Sequence, residues 1–186
     1  MEFAATVSSI NESQSIDYIP VNHLKRLYSP WRSQYIATFS KPKGRGCLFC
    51  RIAKEKNDEK NFILVRREHC YAVMNLYPYN SGHVMVVPYK HTSRFEGLSV
   101  REYEEIMVLT ARMKKALEEV SHPQGFNFGG NFGRVAGAGI DKHIHFHLVP
   151  RWNGDTNFMP VLADTKMISE DMRKTWRKLR KEVGRG

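Results

Sequence analysis

The sequence predicts an α+β domain: an antiparallel sheet of about five strands, one long helix packed on it, and a C-terminal helix. Three observations predict this. Short β-branched and aromatic runs are joined by tight turns, which favours antiparallel pairing. One apolar stripe of helical period runs from Val100 to Val120. A run from His143 to Pro150 alternates histidines with apolar residues, as one face of a strand alternates with the other. With 186 residues and 41% hydrophobic content, the chain suffices for one domain with a core and is short for two.

The elements follow in order. Residues 1–44 read as an extension, polar at Ser8–Ser15 and richer in anchors at Leu24, Leu27, Tyr28, Trp31, Tyr35 and Ile36. Asn61–Arg66 and His69–Asn75 read as strands about a charged turn, and His83–Val87 as a third strand ended by Pro88. Pro78-Tyr79-Asn80-Ser81-Gly82 is turn chemistry before it. Ser99-Val100-Arg101-Glu102 matches a capping box, in which each side chain satisfies an orphan backbone donor. Val100, Tyr103, Met107, Thr110, Met113, Leu117 and Val120 then form the stripe, which stops near Ser121-His122-Pro123. Gly125-Phe126-Asn127-Phe128 starts a fourth strand, Gly129–Gly139 is a glycine-rich loop, and the histidine strand is the fifth. A basic helix in residues 161–186, capped by Ser169 with Glu170 and Asp171 in its first turn, runs through Met172, Trp176 and Leu179.

The formal net charge is +10 and the pI about 9.6. Such a balance suits polyanionic partners, from nucleotides to nucleic acid. Part of it is a solvated tail: from Arg173 onward seven Lys/Arg stand against Glu182 alone. No nucleic-acid-binding motif accompanies that tail. No apolar run approaches the ~20 residues of a membrane span. Met1-Glu2-Phe3-Ala4-Ala5 does not resemble a signal peptide. Three cysteines, two of them as Cys47-Leu48-Phe49-Cys50, fit a reduced cytoplasm better than a secreted disulfide framework.

His143, His145 and His147 share one strand face, with Ile144, Phe146 and Leu148 on the other. Such a row binds phosphate, binds metal or supplies a nucleophile. The preceding Arg134–Lys142 segment is glycine-rich, and glycines let backbone N–H groups approach an anion. Phosphorus chemistry needs a nucleophile and donors for the non-bridging oxygens. The central His145 is the nucleophile of choice and His147 a donor to phosphate oxygens. A metal site or a solvent-facing row is the alternative. Asn75 has an amide suited to ribose hydroxyls and His83 faces a nucleotide; a turn-forming Asn and a structural His would read the same way. Cys47 and Cys50 have the spacing of half a tetrahedral zinc site, with His91 and His143 as candidate partners. A redox pair or an unmetallated pair also fits that spacing. Cys70 reads as a buried small apolar residue, and Trp31, Trp152 and Trp176 as packing anchors.

Together these residues resemble the histidine triad (HIT) superfamily of nucleotidyl hydrolases and transferases. His143–Val149 matches His-φ-His-φ-His-φ-φ at every position, and Asn75 with Gly82–Pro88 matches the family's nucleotide-binding strand pair. The resemblance spans residues 45–160, the expected catalytic domain. Asn75–His83, Val149–Phe158 and Leu27–Arg32 are similar to one branch, the bacterial diadenosine tetraphosphate phosphorylases of the mycobacterial type. This resemblance implies a HIT-like fold and a covalent nucleotidyl-His145 intermediate. Inorganic phosphate would release the nucleotide, giving ADP and ATP. It implies that His83, His143 and His147 contact nucleotide or phosphate and that Asn75 holds the ribose. Asn131, Ala138 and Gly139 would hold phosphate, with Trp152 near the nucleotide. Zinc-binding bacterial members carry the equivalents of Cys47, Cys50, His91 and His143. A homodimer or homotetramer is implied as well. The branch carries Gly-Ser where this chain has Ala138-Gly139, and the hydrolase branch has Gln where Gly139 stands. Two other readings compete: hydrolysis of dinucleotides or nucleoside phosphoramidates by water, and a nucleic-acid-associated or nucleotide-binding module.

Overall fold

The computed structural model describes residues 46–156, 168 and 171–184. The N-terminal extension and Ser169–Glu170 lie outside them. Five strands form one antiparallel sheet: β1 (Ile63–Arg66), β2 (Cys70–Met74), β3 (Val84–Pro88), β4 (Gly125–Gly130) and β5 (Phe146–Arg151), in the order β1-β2-β3-β5-β4. Three α-helices accompany it among the described residues: α1 (Leu48–Lys54), α2 (Val100–Ser121) and α3 (Met172–Val183). No helix among the described residues is long and apolar enough to cross a membrane.

Side-chain alternation sorts the sheet into two apolar layers. Cys70, Ala72, Met74, Val84, Val86, Phe146 and Leu148 face α2 and α3. Tyr71, Val73, Met85 and Val87 face the other way, onto Phe49 and Ile52 of α1. Strands β2 and β3 are buried along their whole length, because both faces are covered. On the α1 side the packing leaves a cavity, lined by Phe49 and Ile52 of the helix and by Val73, Met85, His145 and His147.

The long helix begins as expected. The Ser99 hydroxyl accepts from Glu102 N–H (3.3 Å) and the Glu102 carboxylate accepts from Ser99 N–H (2.7 Å). It ends at His122, whose left-handed φ of 47° turns the chain out of the helix. The stripe needs correction. Val100 and Met107 are exposed, while Ile106, Leu109, Met113, Ala116 and Leu117 are buried. The helix packs against the sheet and α3 together, so its buried face is broader and rotated from the line the spacing marks out. Glu105, one residue from that face, accepts backbone N–H groups of Glu68 (3.2 Å) and Cys70 (3.1 Å), holding the β1–β2 turn.

The last helix is capped by Asp171, which accepts from Lys174 N–H at 3.0 Å, so Asp171 is the cap and not a first-turn residue. Trp176, Leu179 and Val183 join the same core as α2, so this basic helix is part of the domain's packing. Cys70 is fully buried, and burial pushes its thiol up to about 12.

Strand β5 starts at Phe146, three residues later than the sequence suggests. Pairing with β3 and β4 stops there, at Val86 and Gly130. The Ile144 N–H donates instead to the Thr92 carbonyl (2.7 Å). Sidedness nonetheless persists, since Ile144 enters the helix-side core with Phe146 and Leu148. Gly82, just before β3, has φ +71°, and a Cβ there would meet Leu117 Cδ2 at 3.1 Å. The positive φ favours glycine there, and an added Cβ would also press on Leu117.

Candidate active site

His83, His143, His145 and His147 are 1%, 1%, 5% and 8% exposed, so all four imidazoles lose most of their hydration. Burial is the main cause that pushes each below its ordinary value of 6.5. For His83 it acts with its histidine neighbours and the value falls to about 3; for His147, with His145 beside it, to about 4. Near neutral pH these rings are uncharged, and each has one N–H and one lone pair.

The hydrogen bonds determine which nitrogen has the proton. His83 Nδ1 accepts from the Tyr79 backbone N–H (3.0 Å) and lies 3.3 Å from Asn75 Nδ2. Its proton therefore sits on Nε2, which donates to His147 Nδ1 at 2.9 Å. That leaves His147 with its proton on Nε2, a buried nitrogen with no partner among the described residues. An unpaired buried donor is costly unless an acceptor arrives. His145 is set oppositely. Its Nδ1–H donates to the His143 carbonyl (2.9 Å), so Nε2 keeps the lone pair.

His145 and His147 have ring centroids 4.9 Å apart and line one cavity of about 210 Å³. Its apolar wall is Leu48, Phe49, Ile52, Val73 and Met85, and Asn75 and Gly139 add polar and backbone groups. The arrangement puts an imidazole with a free lone pair and one with an unpartnered N–H side by side next to an apolar slot.

Other expected residues fall in different places. Asn131 Nδ2 is 3.5 Å from the Tyr79 hydroxyl, near the same rings. Ala138 is buried and does not line the cavity, while Gly137 and Gly139 on either side of it do. Trp152 does not line it; its indole N–H donates to the Ser121 carbonyl (3.3 Å). His143 does not line it either, because Nε2–H donates to the Pro88 carbonyl (2.9 Å) and Nδ1 turns towards the cysteines.

There Cys47 Sγ, Cys50 Sγ, His91 Nδ1 and His143 Nδ1 lie within 4.8 Å of one another. The measured edges are 3.3 Å (Cys47–His143), 3.3 Å (Cys50–His91), 3.5 Å (Cys50–His143) and 3.2 Å (His91–His143). A tetrahedral zinc ion with these donors has edges of about 3.3–3.8 Å. The Pro88 carbonyl holds the His143 proton on Nε2 and so presents Nδ1 as a ligand. Partial burial and the neighbouring Cys47 raise the Cys50 thiol, a repulsion that a cation between them relieves. The donor set fits a metal ion.

Several contributors went unmarked in the sequence. Tyr79 lays its ring 4.7 Å from His83 and 5.5 Å from His147. Asn80, buried in the same turn, donates to the Pro150 carbonyl (3.1 Å) and Asp155 (2.8 Å), tying the β2–β3 turn to the end of β5. Phe49 packs against both His143 and His145. Only the turn signal at Pro78–Gly82 pointed near the first two.

The lowered histidines set the direction of a pH effect. The folded protein keeps His83 and His147 neutral down to about 3 and 4, whereas the unfolded chain protonates near 6.5. Below 6.5 the unfolded state therefore binds more protons. The stability these groups confer is complete above 6.5 and is lost as pH falls towards the folded values. The thermal midpoint is expected to fall between about pH 6.5 and about pH 4.5, and a His83→Asn protein to fall less steeply. Identical slopes would contradict the neutral buried state of His83.

The HIT domain model matches residues 56–154. The chain is 38% identical over 170 residues to the AP-4-A phosphorylase of Mycobacterium tuberculosis, covering 88% of this chain and 87% of that one. It is 31% identical over 107 residues to the adenosine 5'-monophosphoramidase hnt1 of Schizosaccharomyces pombe, covering 58% of this chain and 75% of that one. A Zn-bound histidine triad family protein from Mycobacterium smegmatis superposes with a TM-score of 0.61 at 26% identity, over 75% of this chain and 94% of that one. With a family match over more than half of the chain and a relative of 38% identity over most of its length, the chain belongs to the HIT domain family of nucleotide-processing enzymes.

Proposed function

We propose that the enzyme cleaves dinucleoside polyphosphates at the α-phosphate, converting diadenosine tetraphosphate and inorganic phosphate to ATP and ADP. The observation that carries this reading is the opposed tautomers of His145 and His147 in one cavity. His145 Nε2 attacks the α-phosphorus, a P–N bond forms, and the P–O bond to the leaving ATP breaks. The His147 Nε2–H bonds the oxygen on which charge develops. Phosphate then attacks the nucleotidyl-His145, releasing ADP and restoring the lone pair. Asn75, which lines the cavity, is read as the ribose contact, and the apolar wall suits a base. Gly139 lines the cavity without a side chain, as an approach for the acceptor. The relative named AP-4-A phosphorylase, which covers most of the chain, supports phosphate as that acceptor. The yeast relative named a phosphoramidase keeps water as the second reading.

Product analysis decides between them. With phosphate, diadenosine tetraphosphate should give ADP plus ATP, with little turnover in its absence. AMP plus ATP in either condition would make the enzyme a hydrolase. His145→Ala should lower turnover on the order of a thousandfold or more; full activity in that variant would overturn the nucleophile assignment.

The Cys47/Cys50/His91/His143 set is read as a structural zinc site, and the Zn-bound relative supports zinc as the ion. When bound, zinc would cross-link α1 to the segment before β5 and supply no reaction chemistry. Elemental analysis should find about one zinc per chain, and far less in Cys50→Ser. Equal zinc in both proteins would rule the site out. Free Cys47, Cys50 and Cys70 suit a reducing cytoplasm.

A homodimer or homotetramer is read from β4, a sheet edge that exposes Phe128; its ring stacks on Phe146, which exposed Phe95 also meets, and Phe95 in turn meets exposed Phe132. Light scattering should give a multiple of 21.6 kDa; a single-chain mass would contradict it.

A further inference from the structure

The cavity has a far end that the reaction does not use. Asn61 and Lys60, both lining it, come just before β1, the sheet edge opposite β4. From β5 to β1 the sheet takes three steps, about 14 Å at the usual strand spacing. A nucleotide with its phosphorus at His145 and its ribose at Asn75 therefore points its base at Asn61.

The orientation of Asn61 is settled by its neighbour. Its Nδ2 donates to Glu55 Oε2 at 2.8 Å. Glu55, paired with Arg51 at 3.9 Å, only accepts as a carboxylate. The amide cannot turn over without facing oxygen to oxygen, so Oδ1 is the atom left for a ligand.

The backbone beside it is strained. Phe62 has φ +55°, a region that bulky residues rarely adopt. It is held there because its carbonyl accepts from Met74 N–H (3.0 Å), its ring packs on the helix-side core, and the Arg173 guanidinium lies 5.6 Å above that ring. Strain of this kind gathers where a structure presents a group to a ligand. Here it lets Phe62 enter one face of the sheet while Asn61 lines the cavity on the other.

We propose that Asn61, oriented by Glu55, is the base-reading residue: its Oδ1 accepts a hydrogen bond from the exocyclic amine of adenine. Guanine has a carbonyl oxygen at that position, which meets Oδ1 as acceptor against acceptor. Lys60 donates to ring nitrogens that both purines have and does not discriminate. This inference rests on the nucleotide reading of the cavity.

The test is calorimetric titration of the full-length protein with AMP and with GMP, which depends on neither acceptor nor turnover. The intact protein should bind AMP tighter by about tenfold or more. Asn61→Leu should bring the two within roughly threefold, chiefly by weakening AMP. Glu55→Gln should narrow the gap too, because a glutamine amide lets Asn61 turn over and present Nδ2. Circular dichroism checks that each variant folds, and should Asn61→Leu fail, Glu55→Gln decides. An unchanged AMP-to-GMP ratio in folded variants, or no preference in the intact protein, overturns the proposal. AMP preferred and lost on substitution, with diadenosine tetraphosphate left uncleaved, upholds base reading and removes the reaction. Neither nucleotide binding removes both.

Discussion

Four imidazoles buried on one sheet face have to be neutral, and a neutral imidazole has one proton to place. The site depends on this constraint. The backbone places each proton: Tyr79 N–H on His83, the His143 carbonyl on His145, the Pro88 carbonyl on His143. His147 takes its tautomer from His83. Main-chain groups held in a sheet and its adjoining turns do not reorganise during a reaction, so lone pair and N–H are preset before substrate arrives. Chemically identical side chains two residues apart thereby acquire opposite tautomers.

The same row also binds the wall of the cavity. Helix α1 has seven residues, too few to stand alone. Its cap residue Cys47 makes no side-chain cap; the sulfur turns to His143 instead. The Phe49 carbonyl accepts from the Tyr71 hydroxyl (3.0 Å), and Arg66 donates to the carbonyls of Ile52 (3.2 Å) and Glu55 (2.8 Å) at its other end. These anchors hold Leu48, Phe49 and Ile52 against the cavity. His143 thus belongs to two structures at once: its ring nitrogen to the cysteine cluster and its carbonyl to His145.

Much of the fold was legible because its signals are local. The Ser99–Glu102 box, the turn at Pro78–Gly82 and the alternation of Phe146 with His147 are each specified within a few residues. The errors came where distant contacts choose among local options. The buried face of α2 rotated because α3 packs beside the sheet, and β5 started late because Thr92 captured the Ile144 N–H. Of the site, the histidine row and the Cys-x-x-Cys pair were visible as spacings. Tyr79, Asn80 and Asn61 were not, since each works through a partner far off in the chain or across a turn.

By itself the sequence determined the residue types, their sidedness and the family pattern, because strand alternation and capping act over neighbouring residues. Only the tertiary structure decided which nitrogen of each histidine has its proton, that His91 and His143 meet Cys47 and Cys50, and that Asn61 reaches the cavity that His145 lines. The physical reason is the same throughout. A proton position or a ligand set is a property of groups brought together from separate strands, and no spacing along one strand specifies it.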